Sequence, residues 1–413
     1  MKFLILTADA NTLVYHRGDL IRDIAERGCE IVTSAAEDHP HVRAFVEKLG
    51  GRHVPIRMTR SNVSLARDAE TMADMWRLMR KEKPDAIFAY TIKSVCYGCV
   101  IARLAGVRRV YALLPGMGIT FVKADTLKGR IISRISRMLH RNALKRVDAI
   151  FVQNPDDLNA LRAEGLLPKG VPVHLTAGSG VNLNDFPHVK VSENTALKSG
   201  SVRFVLVSRL LKSKGVRIFA EAARALKAKY PQAEFHLVGP FDPNPNRITE
   251  EEVAQWVREG TLIHHGMVRD VAAVMRWMHV FVLPTWYREG VPHATLEALS
   301  IGRPVVTTDS VGARETVALT ERGKEQQSAG ADVIEGHNGF LVRPHSVAAA
   351  SEAMEWFLQH PDKIPVMGRA SRKLAEEVFD VRLVNKIIMR AMDLTEDAVP
   401  VPQVVAWPRP AVV

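Results

Sequence analysis

Short unbroken apolar runs, each followed by a longer stretch of helical pattern, constrain the fold of this chain more than any other feature. The first series covers 3–7, 30–34, 52–56, 86–89, 110–114, 149–152 and 171–176. Such runs lack the alternation of a half-solvated sheet, so they suit parallel strands covered by helices on both faces. The segment 189–200 interrupts the pattern with turn formers and little periodicity. A second series then opens at 203–208, 234–238, 262–264, 280–283 and 304–308, with helices expected near 216–229 and 249–258. At 413 residues the chain also exceeds one ordinary core. The expected class is α/β, with two doubly wound domains at 1–188 and 201–375, a linker at 189–200, a helical segment at 376–398 and a Pro-rich tail at 399–413. Open sheets of this kind bind ligands at the carboxyl ends of their strands.

Composition narrows the classes of function. The chain is 47% hydrophobic and 24% charged, and it contains no run of the roughly 18 apolar residues that a membrane-spanning helix needs. The apolar stretch 3–6 fits a first strand rather than a secretory signal, so a cytoplasmic location is expected. Cys29, Cys96 and Cys99 are too few for a disulfide framework, and Cys96-Tyr97-Gly98-Cys99 lacks the second ligand pair of a zinc site. The 56 Lys and Arg exceed the 45 Asp and Glu by 11, and the excess is concentrated between Arg103 and Arg146. Within 128–146, Arg130, Arg134, Arg137, Arg141 and Lys145 recur at helical spacing, with Ile131, Ile132, Ile135, Met138 and Leu139 expected on the opposing face, packed inward. A basic helix of this kind suits an anionic membrane surface or a lipid diphosphate. Aromatic residues are not interleaved with this stripe as stacking platforms would be, so no nucleic-acid partner is expected.

The most specific chemistry lies in the second series. Glu289 and Glu297 stand eight residues apart across a loop-to-helix junction, with Gly290, Val291 and Pro292 between them and a helix expected from His293 to Ser300. Gly290 lets the backbone approach a ligand, Pro292 suits the first helical turn, and the free amides of that turn would receive a diphosphate. Glu289 then reaches beyond the phosphates, while Glu297 faces back toward a ribose, a role that carboxylates play in dinucleotide sites.

This motif resembles the Glu-x7-Glu signature of the retaining GT-B glycosyltransferases of family 4, a fold of two Rossmann-like domains facing across a cleft. The loop Val207-Ser208-Arg209-Leu210-Leu211-Lys212-Ser213-Lys214-Gly215 is similar to that family's phosphate loop, and 281–285, 312–315 and 336–342 follow in family order. The resemblance implies that Arg209 and Lys214 hold the donor diphosphate, Glu289 contacts the donor sugar and Glu297 the ribose. It further implies that Gly239, His265, Gly266 and Met267 line the base pocket, and that 376–398 crosses back to the first domain. Retention would follow, with the donor phosphate assisting deprotonation of the acceptor. No Asp-x-Asp occurs, so neither metal nor other cofactor is expected.

The first domain would form the acceptor side, through His16 and through Gly116 and Gly118 of the Gly-Met-Gly loop. It departs from the family pattern, with Ala8-Asp9-Ala10-Asn11 where a Gly-Gly pair is common and Gly116-Met117-Gly118 where a His is common, which leaves the general base open. That loop, Tyr90-Thr91-Ile92-Lys93 and 287–292 look most like the bacterial subgroup acting on polyprenyl-diphosphate-linked saccharides. The expected partners are therefore a UDP-sugar donor, a lipid-linked saccharide acceptor and the inner face of the cell membrane. A soluble acceptor, a GDP-sugar donor or a same-fold nucleotide-sugar epimerase are the alternatives.

Overall fold

The computed structural model describes residues 1–59, 65–116, 127–191 and 201–395. Gly118, most of the expected linker and the tail at 399–413 lie outside these residues. The chain divides into two compact units, one of Met1–Gly180 with the described residues from Val381 on, the other of Val181–Asp380.

In the first unit β1 (Lys2–Leu6), β2 (Glu30–Ser34), β3 (Arg52–His53), β4 (Ala86–Tyr90), β5 (Arg109–Leu114), β6 (Ala149–Val152) and β7 (Val173–Leu175) form one sheet in the order β3-β2-β1-β4-β5-β6-β7. Every pairing in it is parallel. Phe3, Leu4, Phe88, Ile150 and Phe151 are fully buried, as expected where helices cover both faces of a sheet. The chain order reverses between β1 and β4. The helix Val381–Ala391 belongs to this unit, where Asn385 Nδ2 donates to Asp23 Oδ2 at 2.7 Å and Arg109 Nη1 to the carbonyl of Met392 at 3.2 Å.

The second unit repeats the plan with β8 (Arg203–Val207), β9 (Glu234–Val238), β10 (Ile263–His264), β11 (Val280–Leu283), β12 (Val305–Thr308), β13 (Val333–Gly336) and β14 (Gly339–Val342), in the order β10-β9-β8-β11-β12-β14-β13. The edge hairpin of β13 and β14 was not expected as strands, and its pairing is antiparallel. Gly336-His337-Asn338-Gly339 turns the chain there, and β14 adds to β12 in parallel.

The division between units falls before the expected boundary at 188. Residues 181–191 pack with the second unit because Arg303, 1% exposed, holds them there. Its guanidinium donates to the carbonyls of Val189 (2.8 Å), Arg276 (2.8 Å) and Met275 (3.2 Å). Val189 N–H in turn reaches Ile301 O at 3.0 Å. Turn formers in a sequence mark irregular backbone, not the place where packing changes partner.

The basic helix runs Leu127–Leu144; its arginines are outward as expected, but the apolar residues expected to pack inward are outward as well. Ser133, Ser136, His140, Ala143 and Leu144 are buried, whereas Ile131, Ile132, Ile135 and Met138 are exposed. Small side chains let the helix approach the turn Ser94–Gly98 closely, with His140 Nδ1 at 3.5 Å from Cys96 Sγ. Burial holds the His140 pKa below its ordinary value and pushes that of the Cys96 thiol up to about 12, so the thiol is inert packing.

Candidate functional site

Four loops leave the carboxyl ends of β8, β9, β10 and β11, and they carry the donor-side residues expected from the sequence except Glu297, which lies on the helix after the last of them. After β8 the chain makes a single turn, Lys212–Lys214, closed by Gly215 at φ +78°. A Cβ at Gly215 would overlap the carbonyl of Pro284, so only glycine lets this turn lie against the loop after β11. The contact is secured from the other side. The amides of Trp286 and Tyr287 and the hydroxyl of Thr285 all donate to Ser213 O, at 3.0, 3.2 and 3.1 Å.

Lys214 is thereby held nearly buried, its Nζ donating to Glu289 Oε1 at 2.5 Å and lying 5.4 Å from the centre of the Tyr287 ring. The two residues are 75 positions apart, yet the structure makes one ion pair of them. Gly312, at φ +78°, sits beneath the turn, where a Cβ would overlap the carbonyls of both Glu289 and Gly290. Gly290, Val291 and Pro292 are buried.

The helix is His293–Ile301, and Pro292 occupies its cap position rather than its first turn. Proline has no side-chain oxygen with which to cap, so no side chain at that position occupies the helix start. Such an end attracts anions through its amides and dipole. One turn in, the buried hydroxyl of Thr295 has no hydrogen-bond partner among the described residues. Glu297 faces back along the helix, with Oε1 at 3.0 Å from His293 Nδ1.

Arg209 projects half-exposed from the end of β8, and its Nη1 donates to Asp242 Oδ2 at 3.0 Å. Gly239 follows β9 and donates its N–H to Gly266 O at 2.9 Å, which joins the two stretches expected to line the base pocket. Met267 is 73% exposed. His265 engages inward, its Nε2 lying 2.9 Å from His236 Nδ1, and His236 Nε2 is 3.2 Å from Glu234 Oε2. Burial, aided by the neighbouring His265, lowers the His236 pKa to about 4, so the ring is neutral at physiological pH.

In the first unit His16 is exposed just beyond the helix Asn11–Tyr15, and Gly116 follows β5, while Gly118 lies outside the described residues. Asp242, His293 and Thr295 went unnoticed in the sequence. Asp242 and His293 lie within hydrogen-bonding reach of residues that were singled out, and the 293–297 spacing of one helical turn was the one signal available.

Two family models match the chain, "Glycosyl transferase 4-like domain" over residues 14–175 and "Glycosyl transferases group 1" over 201–360. The crystal structure of Anabaena Alr3699/HepE in complex with UDP and glucose superposes with a TM-score of 0.72 at 19% identity, covering 95% of this chain and 99% of that one. Sucrose-phosphate synthase from Thermosynechococcus elongatus gives a TM-score of 0.72 at 16% identity, again over 95% of this chain and 98% of that one. The fold is therefore GT-B. This chain belongs to the group 1, family 4-like glycosyltransferases. Among curated relatives, the Escherichia coli UDP-Gal:alpha-D-GlcNAc-diphosphoundecaprenol alpha-1,3-galactosyltransferase is 26% identical over 261 residues, 61% of this chain. The Staphylococcus aureus capsular polysaccharide biosynthesis glycosyltransferase CapM is 24% identical over 178 residues, 43% of this chain. These two matches span 64% and 42% of the relatives' own lengths.

Proposed function

We propose that this glycosyltransferase moves a hexose or N-acetylhexosamine from a UDP-sugar to a saccharide carried on polyprenyl diphosphate, in the assembly of a surface polysaccharide. The ion pair of Lys214 and Glu289, locked by Gly215 and Gly312, carries the proposal. A diphosphate arriving at the uncapped helix start draws Lys214 from Glu289, which frees the carboxylate for the hydroxyls of the donor sugar. Arg209 exchanges Asp242 for phosphate, and Glu297 takes the ribose hydroxyls. Two cations and a helix start stabilise the developing charge of the leaving group without a metal, as preorganised donors do. Retention at the anomeric carbon, with a donor phosphate oxygen accepting the acceptor proton, belongs to the same proposal.

UDP is favoured by the UDP complex of the Anabaena structure, and a lipid diphosphate acceptor by the name of the Escherichia coli relative. The helix Leu127–Leu144 supports association with the inner face of the membrane. It turns Ile131, Ile135 and Met138 outward, 52%, 46% and 62% exposed, beside Arg130, Arg134 and Arg141. Insertion of such side chains gains roughly 1 kcal/mol or more each, and each cation near an anionic surface adds about 1 kcal/mol. No described helix is long and apolar enough to cross a membrane.

Nucleotide release from a panel of UDP- and GDP-sugars, with and without a polyprenyl-diphosphate saccharide in anionic vesicles, tests the whole. Release from a UDP-sugar that rises with the lipid acceptor is expected. Turnover that ignores the lipid acceptor, or that requires a GDP-sugar, would overturn it.

A further inference from the structure

The carboxyl edge of the first sheet holds a cation that the donor site does not use. Arg17 lies between the short helix Asn11–Tyr15 and the helix Gly18–Glu26 and is only 3% exposed. Its Nε and Nη1 have no hydrogen-bond partner among the described residues, and no carboxylate pairs with it among them. What faces it is the ring of Tyr90, whose centre is 5.7 Å from the guanidinium carbon. Burial lowers its pKa to about 10, so it remains charged at neutral pH.

The magnitudes do not balance. A buried unpaired charge costs several kcal/mol even after relaxation, and a desolvated contact with an aromatic face returns about 2. Lys93, also buried and shortly after Tyr90 in the sequence, shows the ordinary solution: it is paired with Asp68 at 2.7 Å. Arg17 lacks that solution and stands where β1 and β4 part, the point of reversed chain order at which open α/β sheets take ligands. Hydroxyls gather there. Thr12 Oγ1 lies 3.0 Å from Tyr90 Oη and 3.4 Å from Thr7 Oγ1. Thr91, directly after β4, is held at φ +76°, an outlying conformation for a β-branched residue, with its Oγ1 accepting from Ala8 N–H at 3.0 Å. The N–H of Arg17 donates to Thr12 O at 3.1 Å, which ties its backbone to the short helix Asn11–Tyr15.

We propose that Arg17 is the anion seat of the acceptor side, its guanidinium taking a phosphoryl oxygen of the acceptor. This rests on the diphosphate-linked acceptor proposed above. Arg17→Met removes the charge at similar bulk. With the polyprenyl-diphosphate saccharide its kcat/KM is expected to fall roughly ten- to hundredfold, the loss typical of a charged hydrogen bond. With the same saccharide on a phosphate-free alkyl chain, and in acceptor-independent release of UDP, it matches the unaltered protein. Arg17→Lys recovers part of the loss, and the ligand-free Arg17→Met protein melts higher than the parent, since a cost has been removed. Equal losses on both acceptors, or a lower melting temperature, would show a merely structural arginine. A second measurement keeps the seat separate from the acceptor's identity. Inorganic pyrophosphate raises the melting temperature of the Lys214→Ala protein but not of Lys214→Ala with Arg17→Met. If polyprenyl acceptors fail and this difference persists, the seat stands and the carrier is another phosphate ester; if the difference is absent, the seat falls.

Discussion

The two domains share a plan of parallel strands, but the donor-side cations of the second have acid partners where Arg17 of the first has none among the described residues. In the second, Lys214 meets Glu289, Arg209 meets Asp242 and His293 meets Glu297. In the first, Arg17 is buried with no such partner among the described residues. Paired cations keep a ligand-free site in shape at little cost, and under the proposed function an incoming diphosphate has only to displace the acids. An unpaired buried cation stores a penalty that only its ligand relieves, which favours discrimination over stability.

Lys214→Ala strikes hardest at this contrast, because it removes a preorganised cation and strands Glu289. We expect kcat/KM to fall about 10²- to 10³-fold in a nucleotide-release assay, some 3 to 4 kcal/mol of barrier. Glu289→Gln should fall nearly as far, and unchanged turnover in that variant would refute the donor site. Gly312→Ala sets a Cβ against the carbonyls of Glu289 and Gly290 and makes φ +78° costly. It should lose about 1 to 2 kcal/mol in urea unfolding from backbone strain alone, with a loss of nucleotide release larger than that stability change, because the displaced turn carries Glu289.

Protons probe the second domain from another side. Burial holds His236 near pKa 4 and His279 near 3, both below the ordinary 6.5. The unfolded chain therefore binds more protons than the folded one between those values, and stability falls as pH drops from about 6.5 toward 4. The urea midpoint should decline across that window, less steeply in His236→Gln, and a flat profile would contradict the burial of these rings. The smallest effect is expected from Asp242→Asn. The Arg209 side chain is 50% exposed, so its pair is worth at most about 1 kcal/mol, and freeing Arg209 should lower the donor KM only a few-fold.

Much of this molecule was legible in one dimension. Continuous apolar runs announce parallel strands because both faces of such a sheet are covered, and β1, β4, β8 and β11 lie where those runs are. The hairpin of β13 and β14 escaped notice because an edge pair needs neither a long run nor a helix after it. The helix Leu127–Leu144 misled for a different reason. Hydrophobicity normally selects the inner face, but here close approach to Ser94–Gly98 selects small side chains and turns Ile131 and Met138 outward.

Local chemistry was thus settled by the order of residues: which strands form, which glycines permit the turns at 215 and 312, and which acids and bases stand in the loops after β8 and β11. Pairing was decided only in three dimensions. Lys214 finds Glu289 across 75 residues, and Arg17 meets the Tyr90 ring, because burial and charge compensation depend on what folding brings within a few ångströms. No spacing along a chain encodes that distance.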